Sequence, residues 1–190
     1  MTHDVPHSPS DDDALLARAR TDREAFGELC DRCYPPIFRY CRRRLFRWDD
    51  AEEVTAEVFL NVARSMHGFC DGGHRDFMRW VYAIAANQVN AHLRKSERRD
   101  RLLLAAAQNG AVNSSPEAKN VGSFAALEWP SVYQSLLRLS LRDQSIVVLR
   151  YFESMPHRQI AEILRMRPGA VRTAEMRAIE KLRRDLGVIT

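Results

Sequence analysis

Apolar residues along this chain recur at helical rather than alternating intervals. Phe26, Leu29, Cys30 and Cys33 fall at i, i+3, i+4 and i+7, and Ile37, Tyr40, Cys41 and Leu45 further on at i, i+3, i+4 and i+8. Such residues stack on one face of a helix. Pro35-Pro36 falls between the two series and is expected to interrupt the helix, because proline lacks the N–H that an interior turn needs. Thr21-Asp22-Arg23-Glu24 has capping-box spacing and suits the start of the first series. Upstream, Asp11-Asp12-Asp13 can cap a short helix from Ala14 to Arg20. The next helix starts with Asp49 or Asp50 as cap and runs to about Met66, with Ala51, Val54, Val58, Val62 and Met66 inward. Another spans about Asp76 to Lys95, with Phe77, Val81, Ile84 and Gln88 inward and Arg79, Asn87, Asn90 and Arg94 outward. Gly68 to His74 between them is loop, centred on Gly72-Gly73.

Leu102 to Ala107 can extend the preceding helix, but Gln108 to Gly122 is rich in Asn, Ser, Gly and Ala and predicts a linker. Beyond it come a segment from Ala125 to Leu139 broken at Pro130, a helix from Ser140 to Phe152, and a helix pair. No segment has strand periodicity. The expected fold is therefore all-α: a flexible tail over 1–13, a helical domain over 14–99, a flexible linker over 100–124 and a second helical domain over 125–187.

The helix pair carries the clearest chemistry. Gln159 to Leu164 forms a short helix whose Ala161 is small enough to let a second helix approach. A break follows from Arg165 to Gly169, with Pro168 suited to a first helical turn. Val171, Ala178 and Leu182 then make a buried stripe in which Glu175 is the odd member. Arg172, Thr173, Met176 and Arg177 occupy the opposite side, the face expected against base edges and phosphates of a DNA major groove. An amphipathic helix pair with solvated arginines is the plainer alternative.

Charge sharpens this picture. The net charge of +4 on 190 residues is modest, but basic residues gather at Arg39 to Arg47, Arg94 to Arg101 and Arg158 to Arg184, and acidic ones at Asp11 to Asp13 and Asp49 to Glu57. Opposite signs on separate elements suit one surface for nucleic acid and another for a protein. Hydrophobic content of 45% is that of a globular chain. No apolar run approaches the roughly 20 residues of a membrane helix, and Met1 to Asp13 lacks a secretory pattern, so a cytoplasmic protein is expected. Cys30-Asp31-Arg32-Cys33 is a CxxC, but no second CxxC or HxxxH follows. His67, Cys70 and His74 lie in or beside a glycine-containing loop, so the thiols are read as buried and inert and no metal is expected.

Three blocks at this spacing resemble the extracytoplasmic-function (ECF) sigma factors, small members of the sigma-70 family of bacterial RNA polymerase subunits. They are Asp50-Ala51-Glu52-Glu53-Val54-Thr55-Ala56-Glu57-Val58-Phe59-Leu60; Phe77 to Leu93; and Val148 to Glu153 running into Ile160 to Leu164. The resemblance covers Ala14 to Arg99 (region 2) and Leu127 to Leu186 (region 4), with no further domain expected after Thr190. It implies that Asp50, Glu53, Glu57 and Asn61 dock on the clamp helices of the largest subunit of core RNA polymerase. It implies that Arg79, Asn87, Asn90 and Arg94 meet the −10 promoter element, with Gly68 to Asp76 receiving a flipped base. It implies that Arg158, Arg172, Thr173, Met176 and Arg177 meet the −35 element. An anti-sigma factor is the further partner implied. Trp80 and Tyr82 suit the core better than base stacking.

The chain departs from the family pattern at Ala56, Arg165, Ala174 and Glu175. Arg165 stands where a glycine usually adopts the left-handed conformation, so the turn is expected to be strained or differently shaped. Glu175 at a buried position must pair, with Arg158 or Arg172, or the helix must rotate. No nucleophile–base pair, phosphate-cradling loop or cofactor motif is present, so neither a catalytic residue nor a cofactor is expected. A stand-alone helix-turn-helix regulator is the alternative, and a thiol or metal sensor built on Cys30 and Cys33 a further one.

Overall fold

The computed structural model describes residues 9–69, 72–108 and 129–187, and every regular element among them is helical. Helix α1 (Pro9–Ala19) leads into α2 (Arg23–Leu45), α3 (Trp48–Ser65), a short turn (Met66–Gly68) and the long α4 (His74–Gln108). The C-terminal part comprises α5 (Trp129–Leu137), α6 (Leu141–Val147), a π-helical turn (Val148–Phe152), α7 (His157–Ile163) and α8 (Pro168–Asp185).

Most of the periodic stripes are buried as expected: Ala51, Val54, Val58, Val62 and Val81 are 0% exposed and Phe77 nearly so. Phe26, Cys30, Ile84 and Gln88, expected inward, are only partly buried, and on α4 Ala85, Ala86 and Val89 enter the core. Pro35 and Pro36 do not interrupt the chain, since α2 continues through both. Leu29 and Cys33 before them and Ile37 and Tyr40 after them enter one core. Burying each large side chain contributes about 1.5–3 kcal/mol, enough together to outweigh the roughly 3 kcal/mol an interior proline costs. The helix stops at Phe46, whose φ of 62° turns the chain while its N–H still reaches the Arg42 carbonyl.

Several caps differ from expectation. Helix α1 begins at Pro9, so Asp11 and Asp12 sit in its first turn instead of before it. Asp22, not Thr21, caps α2, its Oδ1 accepting from the Glu24 N–H at 2.9 Å. Arg47 occupies the cap position of α3 with no side-chain bond, leaving Asp49 and Asp50 within the helix, where their charge favours the N-terminal dipole. Helix α4 starts two residues earlier than expected, and its cap is long-range: Asp13 Oδ1 accepts from the His74 N–H at 2.6 Å. Gly72 just ahead has φ 125°, and a Cβ there would lie 2.6 Å from Asp76 Cβ. Helix α4 then runs past Lys95 to Gln108, so the expected linker is helical over 100–108 and lies outside the described residues over 109–124. The expected tail is likewise helical from Pro9 and outside them over 1–8. Pro130 is the second residue of α5, harmless there because first-turn N–H groups are unbonded anyway.

The two helical parts pack directly on each other. Leu15, Leu29, Val58 and Phe77 belong to the same buried cluster as Ile146, Leu149, Ile160 and Val171. A smaller cluster of Leu136, Leu139, Val147, Ala178 and Leu182 joins α5 and α6 to α8. Ser140 caps α6, its Oγ accepting from the Asp143 N–H. Between α7 and α8, Arg165 takes φ 52°, and the next N–H, of Met166, bonds the Ala161 carbonyl at 2.8 Å. The turn thus has the left-handed residue usual for glycine, carried by an arginine. That conformation costs an L residue roughly 1–2 kcal/mol. Arg165→Gly is expected to stabilise the protein by about 1 kcal/mol, read as a higher urea midpoint.

Candidate nucleic-acid and partner interfaces

Helix α8 places its two faces as its sequence requires. Val171, Ala178 and Leu182 are buried, while Arg172, Thr173, Met176 and Arg177 are exposed, Met176 at 67%. The Thr173 hydroxyl donates to the Gly169 carbonyl at 3.0 Å, fixing its rotamer in the first turns of the helix. Arg158 on α7 is exposed and sits 3.5 Å from Glu162, one turn on.

Glu175 is buried, and its partners are not those expected. Neither Arg158 nor Arg172 reaches it; His157 Nε2 bonds its Oε2, and Arg150 Nε lies 3.5 Å from Oε1. Burial pushes this carboxyl up, but His157, Tyr151 and Arg150 more than offset that and hold it below its ordinary value of 4.5. The His157 bond thus ties the first residue of α7 to the middle of α8.

On α3, Glu53 and Glu57 are exposed. Asp50 is half-buried, with Arg47 Nε and His92 Nε2 each 3.6 Å from Oδ2. Asn61 Nδ2 donates to the Glu57 carbonyl at 2.9 Å. The acidic strip is therefore a surface, freest at Glu53 and Glu57.

The outward side of α4 is divided. Asn87 and Arg94 are exposed, whereas Arg79 is taken up by the C-terminal part and half-buried Asn90 by Arg44 of its own part, contrary to the expectation that all four point freely outward. Arg79 bonds Asp76 on its own helix and Glu162 on α7. Asn90 Oδ1 accepts from Arg44 Nη2 at 2.9 Å. Arg44 is 1% exposed and also reaches the Leu141 carbonyl at 3.1 Å and Gln144 Oε1. Burial among neutral acceptors holds its pKa below the ordinary arginine value. Across the same seam, Glu153 receives Arg43 Nη1 and, at 2.9 Å, the Tyr82 hydroxyl, while Phe46 packs at a tilt of 56° against Tyr133 with centroids 3.9 Å apart.

Sequence reasoning missed this seam, although Arg44 continues the buried series of Ile37, Tyr40 and Cys41 at helical steps. The seam leaves a cleft of about 600 Å³ where Asn87, Asn90 and Arg94 face Arg142, Arg165 and Arg177. Residues assigned to separate promoter elements thus meet at one opening. Tyr82 is core, and Trp80 is partly buried against Phe69 and Phe77.

Cys33 is buried, 4.0 Å from His74 Nε2, and burial pushes its thiol up to about 12. Burial, then Asp31, raises Cys30 to about 11, and burial raises Cys41 to about 11. Thiols held protonated in this way are poor nucleophiles and poor metal ligands. Cys70 lies outside the described residues. Among those residues no group of three or more His, Cys, Asp or Glu is placed to hold a metal ion, and no helix is long and apolar enough to cross a membrane.

A helical protein with an acidic helix in one part and a helix-turn-helix in the other is the class this architecture defines. Residues 29–99 match the family model Sigma-70 region 2, and residues 131–182 match Sigma-70, region 4. The ECF RNA polymerase sigma factor ShbA of Streptomyces griseus is 30% identical over 178 residues, covering 90% of this chain and 92% of that protein. BldN, an ECF sigma factor of Streptomyces coelicolor, is 29% identical over 173 residues, 90% of this chain but 64% of BldN's length. In fold the chain is similar to the sigma factor RpoE, solved in complex with the anti-sigma factor NepR from Bartonella quintana, with a TM-score of 0.65 at 17% identity over 87% of this chain and 98% of RpoE. The chain belongs to the ECF subfamily of sigma-70 family RNA polymerase sigma factors.

Two outcomes follow from this geometry. Arg44→Met leaves buried Gln144 Oε1 without its donor, at about 1–3 kcal/mol, removes the donor to Asn90 while the Leu141 carbonyl keeps the Ser145 hydroxyl, and is expected to part the two lobes. A larger radius of gyration in solution scattering checks this. The depressed Glu175 carboxyl stabilises the fold above its unfolded value of about 4.5 and loses that contribution as pH falls through its lower native value. Urea midpoints measured down through that range should fall less steeply in Glu175→Gln than in the parent.

Proposed function

We propose that this protein binds core RNA polymerase and directs promoter recognition and transcription initiation, itself catalysing no reaction. The observation that carries this reading is the exposed Arg172, Thr173, Met176 and Arg177 face on the second helix of a helix-turn-helix, in a chain whose other part presents Glu53 and Glu57. A stand-alone regulator has use for the first face and none for the second.

In this reading the acidic strip, with Asp50 and Asn61 at its edge, meets the clamp helices of the largest polymerase subunit, where charge supplies steering and register more than bulk affinity. Helix α8 enters the −35 major groove, and Arg158 on α7 reaches a flanking phosphate. Asn87, Asn90, Arg79 and Arg94 meet the −10 element, whose unstacked base is received near Gly68 to Asp76. The division is that of the expected domains, 14–99 for polymerase and the −10 element and 125–187 for the −35 element, within which the matched regions 29–99 and 131–182 fall. Work on chromosomal promoters places the protein in the cytoplasm, and an anti-sigma factor is its natural restraint, as NepR is the partner of RpoE in the similar structure.

The elements lie roughly 25 base pairs apart, a span of roughly 85 Å at about 3.4 Å per pair. Lobes joined by Arg44 and by the Arg79–Glu162 pair cannot span that distance. Binding to polymerase and promoter therefore requires the seam to open, which frees Arg79 for DNA and releases Arg44, the partner of Asn90, from its acceptors on the other lobe.

The test is run-off transcription with purified core polymerase on promoters selected from a randomised library. Promoter-specific transcripts are expected from the wild-type holoenzyme, and their absence, together with failure to bind core, refutes the reading. Glu53→Lys with Glu57→Lys should weaken core binding at least tenfold, since close like charges replace attraction with repulsion. Arg172→Ala and Arg177→Ala should each reduce −35 discrimination by about 1–3 kcal/mol and leave core binding intact.

A further inference from the structure

Glu175 is a buried charge with no part in the contacts just described. It occupies the slot between Val171 and Ala178 on the inward side of α8, where neighbouring positions are apolar. A leucine in that slot would pack without directional demands. A carboxylate instead binds along fixed directions, and here these lead to two other elements. His157 is the first residue of α7, and Arg150 belongs to the π-helical turn that precedes it. Arg150 is itself anchored, its Nη1 donating to the Met155 carbonyl at 3.2 Å. The turn, the first helix of the motif and the recognition helix are thus joined at one carboxylate.

We infer that Glu175 is a positioning residue for −35 recognition: held by His157 and Arg150, it fixes the rotation of α8 and so the direction in which Arg172, Met176 and Arg177 meet the base edges. The inference rests on the proposed promoter-reading role of α8. Its physical core is angular. Side-chain tips lie about 5–6 Å from a helix axis, so turning α8 by about 20° moves them by about 2 Å. A bidentate arginine–guanine contact tolerates only about 0.5 Å and 10–20° of misplacement. Apolar packing at Val171, Ala178 and Leu182 limits translation of α8 but resists small rotations weakly. The carboxylate supplies the missing constraint. Arg165 at φ 52° sets where α8 begins, and Glu175 sets how it is turned.

The experiment uses the full chain in holoenzyme on its library-selected promoter and on single-base variants of the −35 and −10 elements. Glu175→Leu is expected to retain helix content with a modest loss of thermal stability, because the partners it leaves, Arg150 and His157, are each about a third exposed and can be rehydrated. Its ratio of cognate to −35-substituted transcript should nevertheless fall about tenfold, with the −10 ratio unchanged. Glu175→Gln retains hydrogen-bonding capacity toward Arg150 and His157 and should restore most of the ratio. Should the leucine variant fail to fold, His157→Ala serves in its place, and the same selective fall in the −35 ratio is expected. An unchanged −35 ratio in a folded Glu175→Leu or His157→Ala variant overturns the inference, as does an equal fall at both elements. A wild-type holoenzyme that fires no promoter refutes the functional reading itself, so the two failures are distinct.

Discussion

A guanidinium cannot be withdrawn from water without acceptors, and Arg44 at 1% exposure is the point from which this molecule is organised. Helical periodicity on α2 forces it inward beside Ile37, Tyr40 and Cys41, where its own lobe supplies Asn90. The remaining acceptors, Gln144 and the Leu141 carbonyl, come from the other lobe. All are neutral, so the site gains hydrogen bonds without the Coulomb attraction of a carboxylate. Such a site holds while the lobes are together and is easily rehydrated once they part. Around it, the Arg43–Glu153–Tyr82 group and the Arg79–Glu162 pair repeat the pattern of a cation or hydroxyl from one lobe meeting an acceptor from the other.

The seam treats the two faces proposed for nucleic acid differently. The α8 face stays open to solvent, with Arg172, Thr173, Met176 and Arg177 all exposed. The α4 face is partly engaged, because Arg79 is an interlobe contact and Asn90 holds Arg44, which bonds the other lobe. A residue that can satisfy either a protein acceptor or a nucleic-acid group couples the two events. Whatever free energy Arg79 gains from Glu162 must be given up before it meets a phosphate. Polymerase is the source of that energy in the proposed cycle, since Glu53 and Glu57 remain free for it in the closed arrangement.

Legibility in the sequence followed the kind of physics involved. Where one period decides, as with Val54, Val58 and Val62 or with Val171, Ala178 and Leu182, the buried face was readable residue by residue. Where local and tertiary preferences compete, it was not. Pro35-Pro36 argues locally for a break, yet the common burial of Leu29, Cys33, Ile37 and Tyr40 carries α2 through. The cap of α4 comes from Asp13, sixty-one positions earlier, and no local pattern announces it. The acidic and arginine-bearing faces were legible because exposure follows from the same periodicity. The division of α4 into free and engaged residues was hidden, because it depends on which surface the second lobe covers. Glu175 was legible as a conflict but not in its resolution: Arg172, three residues away, lies on the exposed face, whereas His157 and Arg150, eighteen and twenty-five residues earlier, are near in space.

The helix-turn-helix shows how two local costs can coexist in one small motif. Arg165 in a left-handed conformation and Glu175 in a buried slot would each be disfavoured alone. The Met166 N–H bond to the Ala161 carbonyl closes the turn around Arg165, and Ile163 and Leu164 pack beside it against the main core. The backbone there is held from both sides, so the arginine has no lower-energy φ to relax into without breaking that closure. The same closure fixes the distance from α7 to α8, and that distance lets the His157 ring reach Glu175. Each unfavourable residue thus depends on geometry the other helps to define. Replacing Arg165 by glycine lowers the cost of the turn, but it also removes a cation from the cleft rim opposite Arg94 and Asn87. Stability and charge at this turn are therefore separate quantities set by one residue, and a chain that reads DNA has reason to retain the second at the expense of the first.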